Sequence, residues 1–440
     1  MDNEEVAKKV GVWPRGTGWV WGMTISTWAI WLMCSFNFGV VWALGPLLID
    51  RWYLTPAAWA LFLAVMQWTR GAFGVPGAAI SDKIGAGYKR KYFWGAMVVF
   101  YTIVSLLTAF RTISMTFIRF ILVRCGVQIG CGVEETVRPS VVAEVWPDEH
   151  RGFALGLTHT GFPFGVLLAG LLVSWTLGRF GSDNWRYVFY FTLISFVPLL
   201  WYYLISTKGA YEKAYAEFDR KGLTKPSLAR EVSEVSGAQL VLRTLKIRNV
   251  QSSAINAGLF MGVISMFMAF YPKYLSEIHG FNYAQVAALA VAWSITGAIF
   301  QVLLPWWSDR LGRKPVLTLA AIWMGLIMIT LPFATTLLLV ILVQIAYGFV
   351  INAVYPILYA VGAESAEKGG VATAVSIVAL VLFLGGGGFP LLVSPLIQVF
   401  GGWGVERGYI WIFGIMAALC FIAAAVQHWR TTETAVLAKK

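Results

Sequence analysis

The chain contains twelve apolar runs, each long enough to cross a lipid bilayer as a helix. A spanning helix needs about 20 mainly apolar residues. The runs lie at 19–48, 57–80, 92–110, 117–145, 153–178, 186–206, 250–278, 283–307, 315–334, 336–364, 371–399 and 406–428. Mean hydropathy is +0.69 and only 13% of the residues are charged, a composition outside the range of soluble domains. The sequence therefore predicts an all-α membrane protein with twelve transmembrane helices.

One long polar stretch, 207–249, separates the first six runs from the last six. It is rich in charged residues and contains a Lys-Pro break, which is typical of a linker. We therefore predict three parts: an N-terminal six-helix bundle at 1–206, a cytoplasmic linker at 207–249, and a C-terminal six-helix bundle with a short cytoplasmic tail at 250–440.

Short motifs recur at corresponding places in the two halves. SDKIG at 81–85 follows the second run, and SDRLG at 308–312 follows the eighth. GFP at 161–163 recurs at 388–390 with the same residue separation. Matches in the same order at corresponding helices indicate a duplication, so we expect the two bundles to be pseudo-symmetric.

Basic residues predict the orientation of the bundle. The chain has 34 Lys and Arg against 22 Asp and Glu, and most of the basic residues fall in loops on one side. Such loops are cytoplasmic in multi-pass proteins, so we expect both termini in the cytoplasm and no nucleic-acid partner. No Asn-x-Ser/Thr acceptor occurs, which favours a bacterial inner membrane.

The fourth run carries charges where hydrocarbon is expected. Its segment VEETVRP at 133–139 contains Glu134, Glu135 and Arg138, and Arg124 lies further back on the same helical face. Charges inside spans are costly and almost always face a bundle interior or a wet cavity. We interpret this face as the lining of a transport pathway and expect Arg124, near the outer end, to be structural.

The loop motifs carry a family resemblance. SDRLGRK at 308–314, SDKIGAGYKRK at 81–91 and RG at 151–152 resemble the signature loops of the major facilitator superfamily. The segment 270–281 resembles that family's organic-acid and sugar-acid symporters. The resemblance implies two bundles that rock about a central substrate site. It also implies that charged loop residues latch the cytoplasmic side, which assigns gating roles to Asp82, Arg151, Asp309, Arg313 and Lys314.

Arg70, near the middle of the second run, is the first candidate for binding substrate. A buried guanidinium offers a planar fork that fits a carboxylate or phosphate. The alternative is a structural ion pair with Glu134 or Glu135. The second half has polar and aromatic residues in place of charges, so we predict a substrate site formed by Arg70, Arg138, Tyr274, Gln301, Asn352 and Tyr355.

Proton coupling is assigned to Glu135 first and Glu134 second. Burial raises the pKa of a carboxyl group and a nearby cation lowers it, so such a group can change protonation as a cavity opens and closes. The rival interpretation is that Glu135 and Arg138 neutralise each other. His159, with an ordinary pKa near neutrality, is a further candidate, and its alternative role is packing.

These residues predict a secondary active transporter that moves a small organic anion by alternating access, as a proton symporter. The anion would be a monocarboxylate, a sugar acid or an aromatic acid. We expect no cofactor besides the proton gradient, no metal site, no enzymatic activity, and a monomer in the lipid bilayer. The open alternatives are an anion antiporter, an exporter of lipophilic compounds, and a membrane receptor or sensor that does not transport.

Overall fold

A computed structural model describes residues 18–147, 150–226, 237–367 and 370–435. Helices dominate, and the described residues include no strand. Each of the twelve predicted runs coincides with one helix or with two consecutive helices. The all-α prediction is therefore confirmed.

The described residues of the first half form eight α-helices before the linker. They are α1 (Gly18–Ala43), α2 (Gly45–Arg51), α3 (Pro56–Ile84), α4 (Arg90–Leu107), α5 (Phe117–Val145), α6 (Arg151–His159), α7 (Gly161–Phe180) and α8 (Phe196–Ile205). A 3₁₀ helix at Ser182–Ser195 precedes α8, and another at Gly87–Lys89 precedes α4. The linker contributes α9 (Lys208–Arg220) and α10 (Gly237–Thr244).

The second half continues the series. Its helices are α11 (Arg248–Glu277), α12 (Tyr283–Leu289), α13 (Ser294–Leu311), α14 (Arg313–Thr330), α15 (Leu337–Gly348), α16 (Val354–Glu364), α17 (Val371–Val399) and α18 (Glu406–Arg430). Asn282 begins α12 with a capping box, in which its side chain and that of Gln285 satisfy each other's backbone N–H groups.

Eight helices in the described ranges are long and apolar enough to cross a membrane. Among the remaining predicted spans, α3 and α5 carry internal charges, and the span at 336–364 is divided between α15 and α16. The fourth, α4, begins with Arg90 and Lys91, and α15 is apolar but only 12 residues long.

Proline accounts for some of the divided spans. Pro163 lies in the first turn of α7 and Pro356 in the first turn of α16. Because proline has no N–H, it cannot donate to the carbonyl four residues earlier. The regular bond to His159 in one span and to Asn352 in the other is therefore missing, and each span restarts as a new helix.

By contacts, the chain divides into two compact units. The first comprises Met1–Asn37, Ala72–Gly165 and Phe189–Arg230, and the second comprises Phe38–Gly71, Val166–Val188 and Glu231–Lys440. Each unit therefore combines segments that are distant in the chain. The three-part division predicted from the sequence follows chain order and stays a prediction.

Candidate functional site

A buried ion cluster lies in the first unit. Glu134 is fully buried and Arg138 is 1% exposed, and Arg138 Nε lies 3.6 Å from Glu134 Oε1. Arg138 also donates to Thr158 Oγ1 at 3.4 Å and to His159 Nδ1 at 3.1 Å. Its guanidinium carbon lies 4.5 Å from the centre of the Trp31 ring. Three predicted residues, Glu134, Arg138 and His159, are thus brought together.

The hydrogen bond to His159 defines a protonation state. A guanidinium can only donate, so Nδ1 of His159 must accept, and in this arrangement the imidazole is neutral with its proton on Nε2. A proton added to Nδ1 would break this bond and place a second cation beside Arg138. The charge of His159 and the position of Arg138 are therefore coupled.

Small residues on α7 explain how the cluster is assembled. A Cβ added to Gly165 would lie 2.2 Å from Leu32 O, and one added to Gly161 would lie 2.8 Å from Trp28 O. Only glycine permits α1 to approach so closely. This approach stacks Trp31 on His159, with ring centres 5.9 Å apart.

The other charges of α5 differ in their surroundings. Glu135 is half-buried, whereas the fully buried Glu134 forms an ion pair with Arg138, four residues further along. Arg124 is fully buried and donates to Asn37 O at 2.6 Å and to Ser105 Oγ at 3.2 Å. Arg124 thus ties α1 and α4 to α5, and its structural role stays a prediction.

Gln128 is a residue that the sequence analysis missed. It is 1% exposed, and within the described part of the chain neither of its amide atoms has a hydrogen-bond partner. It lies one turn from Arg124, on the face that also bears Glu135 and Arg138. Listing every residue on that helical face of the sequence would have identified Gln128.

Arg70 lies in the second unit, where it is 4% exposed. Its guanidinium carbon is 3.9 Å from the centre of the Phe38 ring and 5.9 Å from that of Phe383. One turn earlier on α3, Gln67 Nε2 donates to Ser265 Oγ of α11 at 3.4 Å. The sequence analysis identified Arg70 but not this polar pair beside it.

A chain of contacts connects this region to Tyr355. A Cβ added to Gly386 would lie 3.2 Å from Gln67 Nε2 and 2.8 Å from Met261 Cγ. Tyr355 is 8% exposed, and its hydroxyl donates to Met261 Sδ at 3.4 Å. Gly386 therefore lets α17 approach both α3 and α11, and Arg70, Gln67 and Tyr355 belong to one connected region.

The remaining substrate candidates have separate environments. Gln301 on α13 is 1% exposed and Asn352 is 5% exposed. Tyr274 is fully buried, but its hydroxyl donates to Glu406 Oε1 of α18 at 3.1 Å, and its ring packs on Phe413. Tyr274 also packs on Tyr271 of its own helix and on His279, so its contacts centre on α11 and α18.

The predicted gating aspartates each belong to a charged triad. In the first unit, Arg90 donates to Asp82 Oδ1 at 2.8 Å and to Glu144 Oε1 at 2.7 Å. The sequence analysis named Asp82 but neither of its partners. Arg90 was obscured because the Ala-Gly-Tyr insertion moves it eight residues from Asp82, and the 3₁₀ turn at Gly87–Lys89 brings it back.

The second unit repeats the arrangement. Arg313 Nη2 lies 2.9 Å from Asp309 Oδ1, and its Nε donates to Glu364 Oε2 at 2.8 Å. In each triad one arginine thus bridges the aspartate of the SD motif and a glutamate near the end of a later helix. The duplication predicted from short motifs therefore extends to side-chain contacts.

A third carboxylate holds the start of α14. Glu433 accepts backbone N–H bonds from Arg313 at 2.9 Å and from Lys314 at 3.1 Å. Burial alone would raise the pKa of Glu433, but these bonds and those from Thr434 and Ala435 outweigh it, so the pKa is lowered. The carboxylate stays ionised where the positive end of the helix dipole favours it. The last predicted gating residue, Arg151, is half-buried at the first position of α6.

At the C-terminal end of α11, the second unit brings together segments from both halves of the sequence. Lys273 is 1% exposed and donates to Asp50 of α2 and to Glu277. Tyr283 donates to Asp50 Oδ2 at 2.8 Å, and Trp59 donates to Ala269 O at 3.0 Å. A buried lysine thus holds α2 against α11.

Close packing of α7 on α12 at Gly170 gives a test of this junction. A Cβ there would lie 2.3 Å from Val291 Cγ2 and 2.5 Å from Ala287 O. We expect Gly170→Leu to lower the free energy of unfolding by about 1–3 kcal/mol, because the backbone must move to admit the side chain. Gly178→Leu on the same helix is the control, since nothing lies within 4 Å of its Cβ position. Equal melting temperatures for the two variants would contradict the prediction.

Residues suited to metal binding or disulfide chemistry are not clustered in the described ranges. No group of three His, Cys, Asp or Glu that could hold a metal ion occurs there, and none of the four cysteines in these ranges forms a disulfide. The site is therefore described by its ion pairs, amides and aromatic rings.

A duplicated helical bundle with charges buried inside its spans defines a class of membrane transport proteins. The family model of the Major Facilitator Superfamily matches residues 21–252 and 253–439. The chain belongs to this superfamily, and it is a multi-pass membrane transporter rather than an enzyme. The resemblance found in the loop motifs is thereby confirmed.

Individual relatives are distant. The chain is 23% identical over 289 residues to a cis,cis-muconate transport protein of Acinetobacter baylyi, covering 65% of this chain and 67% of the relative. It is 22% identical over 327 residues to a gallate transporter of Pseudomonas putida, covering 71% and 70%. Its fold matches a solved structure of the proton:xylose symporter XylE with a TM-score of 0.70, 17% identity, and coverage of 94% and 96%.

Proposed function

We propose that this protein is a secondary active transporter of small organic anions, and that it imports them together with protons. Arg70 is the observation that carries the anion assignment. The rings of Phe38 and Phe383 lie near its guanidinium, and a carboxylate binds the edge of that group rather than its face. Arg70 can therefore contact the two rings and, with the edge of its guanidinium, bind a carboxylate at the same time. The names of the muconate and gallate relatives support a carboxylate as the bound group.

The substrate site that we propose is centred on Arg70. Gln67, Ser265 and Tyr355 would supply neutral hydrogen-bonding groups around the carboxylate. We also keep the proposal that Arg138, in the first unit, binds substrate when its own ion pair is relaxed. Tyr274 is left out, because its hydroxyl donates to Glu406.

Proton coupling would reside in the ion cluster of the first unit. Protonation of Glu134 removes the charge that faces Arg138 and frees the guanidinium to move toward another anion. Glu135 is half-buried and can exchange protons more readily than the fully buried Glu134. His159 accepts from Arg138 and would respond to the same movement. We therefore propose Glu135 as the entry point, with Glu134 and His159 following it.

The two triads would hold the cytoplasmic ends of the helices during part of the transport cycle. Asp82, Arg151, Asp309, Arg313 and Lys314 are proposed to gate this side. We further propose a bacterial inner-membrane location, with both termini in the cytoplasm and a monomer as the working unit. The excess of basic loop residues supports this orientation.

Uptake by proteoliposomes tests the proposal. A panel of labelled carboxylates is offered with and without an inwardly directed proton gradient. We expect wild-type protein to accumulate a carboxylate only with the gradient, and Glu135→Gln to lose accumulation while it still exchanges internal for external substrate. Accumulation that ignores the gradient, or that needs a counter-anion inside, would show an antiporter instead.

A further inference from the structure

Two neighbouring spans in the second half each contain a helix break. The span at 283–307 is interrupted at 290–293, between α12 and α13, and the span at 336–364 is interrupted at 349–353, between α15 and α16. Thr296 Oγ1 donates to Ile345 O at 2.6 Å, and Gln344 Nε2 donates to Leu289 O at 2.6 Å. Side chains thus bridge the two spans beside the breaks.

The two spans also run in register. A Cβ added to Gly348 would lie 2.2 Å from Trp293 O and 3.0 Å from Gly297 N. Further along, the ring centres of Phe300 and Phe349 are 4.5 Å apart. Contacts therefore advance in the same direction along both spans, which shows that the two spans run parallel to each other.

Gln301 and Asn352 lie one turn further along the two spans. Gln301 lies four residues after Gly297, and Asn352 lies four residues after Gly348, so both amides stand at the same level of the pair. Among the described residues, neither amide atom of Gln301 has a hydrogen-bond partner, and Nδ2 of Asn352 has none. Both side chains are more than nine-tenths buried.

An unpaired buried amide requires an explanation, because a buried polar group that loses its hydrogen bonds to water without replacing them destabilises the fold. Packing does not require these amides, since leucine or methionine would fill similar volumes without that cost. Tyr355 lies three residues beyond Asn352, and its contact with Met261 leads to the Arg70 region. The amides are therefore placed to meet a ligand held there.

We propose that Gln301 and Asn352 form a neutral subsite that binds a hydroxyl group of the substrate, so that the transported anion is a hydroxylated carboxylic acid. This inference rests on the proposed anion transport. An amide pair offers both donors and an acceptor, which suits a hydroxyl group. From 294 to 308 and from 345 to 359 the sequence contains no Lys or Arg. A second carboxylate would therefore be desolvated here without a cation, which makes dicarboxylates poorer ligands.

Ligand-induced thermal stabilisation of the purified protein tests the subsite. The probes form matched sets: benzoate, para-hydroxybenzoate, trihydroxybenzoate and terephthalate, and hexanoate with gluconate. We expect at least one hydroxylated acid to bind roughly fivefold to tenfold more tightly than its plain counterpart, and terephthalate to bind no better than benzoate. Gln301→Leu and Asn352→Leu should remove the preference while affinity for the plain acid is kept.

Binding of the plain acid also shows that a variant is folded, because a variant that binds this acid retains the Arg70 region. Gln301→Met serves if the leucine variant is not recovered. Gln344→Leu is the matched control, since this buried amide donates to Leu289 O; it should lower the melting temperature but leave the hydroxyl preference intact. If carboxylates bind without any hydroxyl preference, or if the preference survives in the variants, the subsite is wrong and anion transport stands. If no carboxylate binds the wild type, the proposed function fails and the subsite fails with it.

Discussion

Replacing Arg138 with methionine is expected to destabilise the protein by about 3–5 kcal/mol, the usual cost of removing one partner from a buried ion pair. Methionine fills much of the volume of the arginine stem but leaves the Glu134 carboxylate without its cation. Both side chains are almost fully buried, so water cannot compensate. The effect should appear as a lower melting temperature in detergent, with no ligand present.

A double substitution separates lost charge pairing from lost packing. Glu134→Gln removes the isolated charge, so Glu134→Gln with Arg138→Met should be more stable than Arg138→Met alone. The difference between the double variant and the sum of the single changes measures the coupling of the pair. If the two losses simply add, the Glu134 and Arg138 side chains do not interact, and the proposed coupling of proton and substrate loses its basis.

Arg70→Met should weaken carboxylate binding by about a hundredfold, because two charge-assisted hydrogen bonds of about 1.5 kcal/mol each are lost. Arg70→Lys should recover only part of this, since an ammonium keeps the charge but lacks the planar fork. Binding is measured by isothermal titration with the acid that most stabilises the wild type. Affinity unchanged in Arg70→Met would exclude Arg70 from the substrate site.

Arg124→Met is the matched control for Arg70. Both are buried arginines, but Arg124 donates to Asn37 O and Ser105 Oγ and so holds α1 and α4 on α5. Its replacement should lower stability and leave the affinity of the recovered protein unchanged. The opposite pattern, with affinity lost at Arg124 and kept at Arg70, would reverse the roles assigned to the two residues.

The two triads show where reading a sequence by motif reaches its limit. Asp309 and Arg313 lie four residues apart on a recognisable motif and were identified together. Arg90 and Glu144 are separated by an insertion and by a whole span, so nothing in the local pattern joins them. In the triad of the second unit, Glu364 is the glutamate that Arg313 binds. Comparing the two triads would have predicted Glu144 for the first unit.

Lys273 illustrates a different limit. Its position near the end of an apolar run looks like an ordinary loop cation. The structure buries it against Asp50, more than two hundred residues away in the chain. For two residues so far apart in the chain, the sequence alone does not show whether they are in contact. Only the tertiary structure does.

The sequence by itself determined the fold class, the duplication and the family, because hydropathy and repeated loop motifs are local properties that survive without packing. It also identified Arg70, Glu134 and Arg138, since charges in apolar runs are conspicuous. Only the tertiary structure decided which partners they have. Glycines at 161, 165 and 386 allow helices to approach within backbone contact, and this close approach, rather than spacing along the chain, selects the side chains that meet.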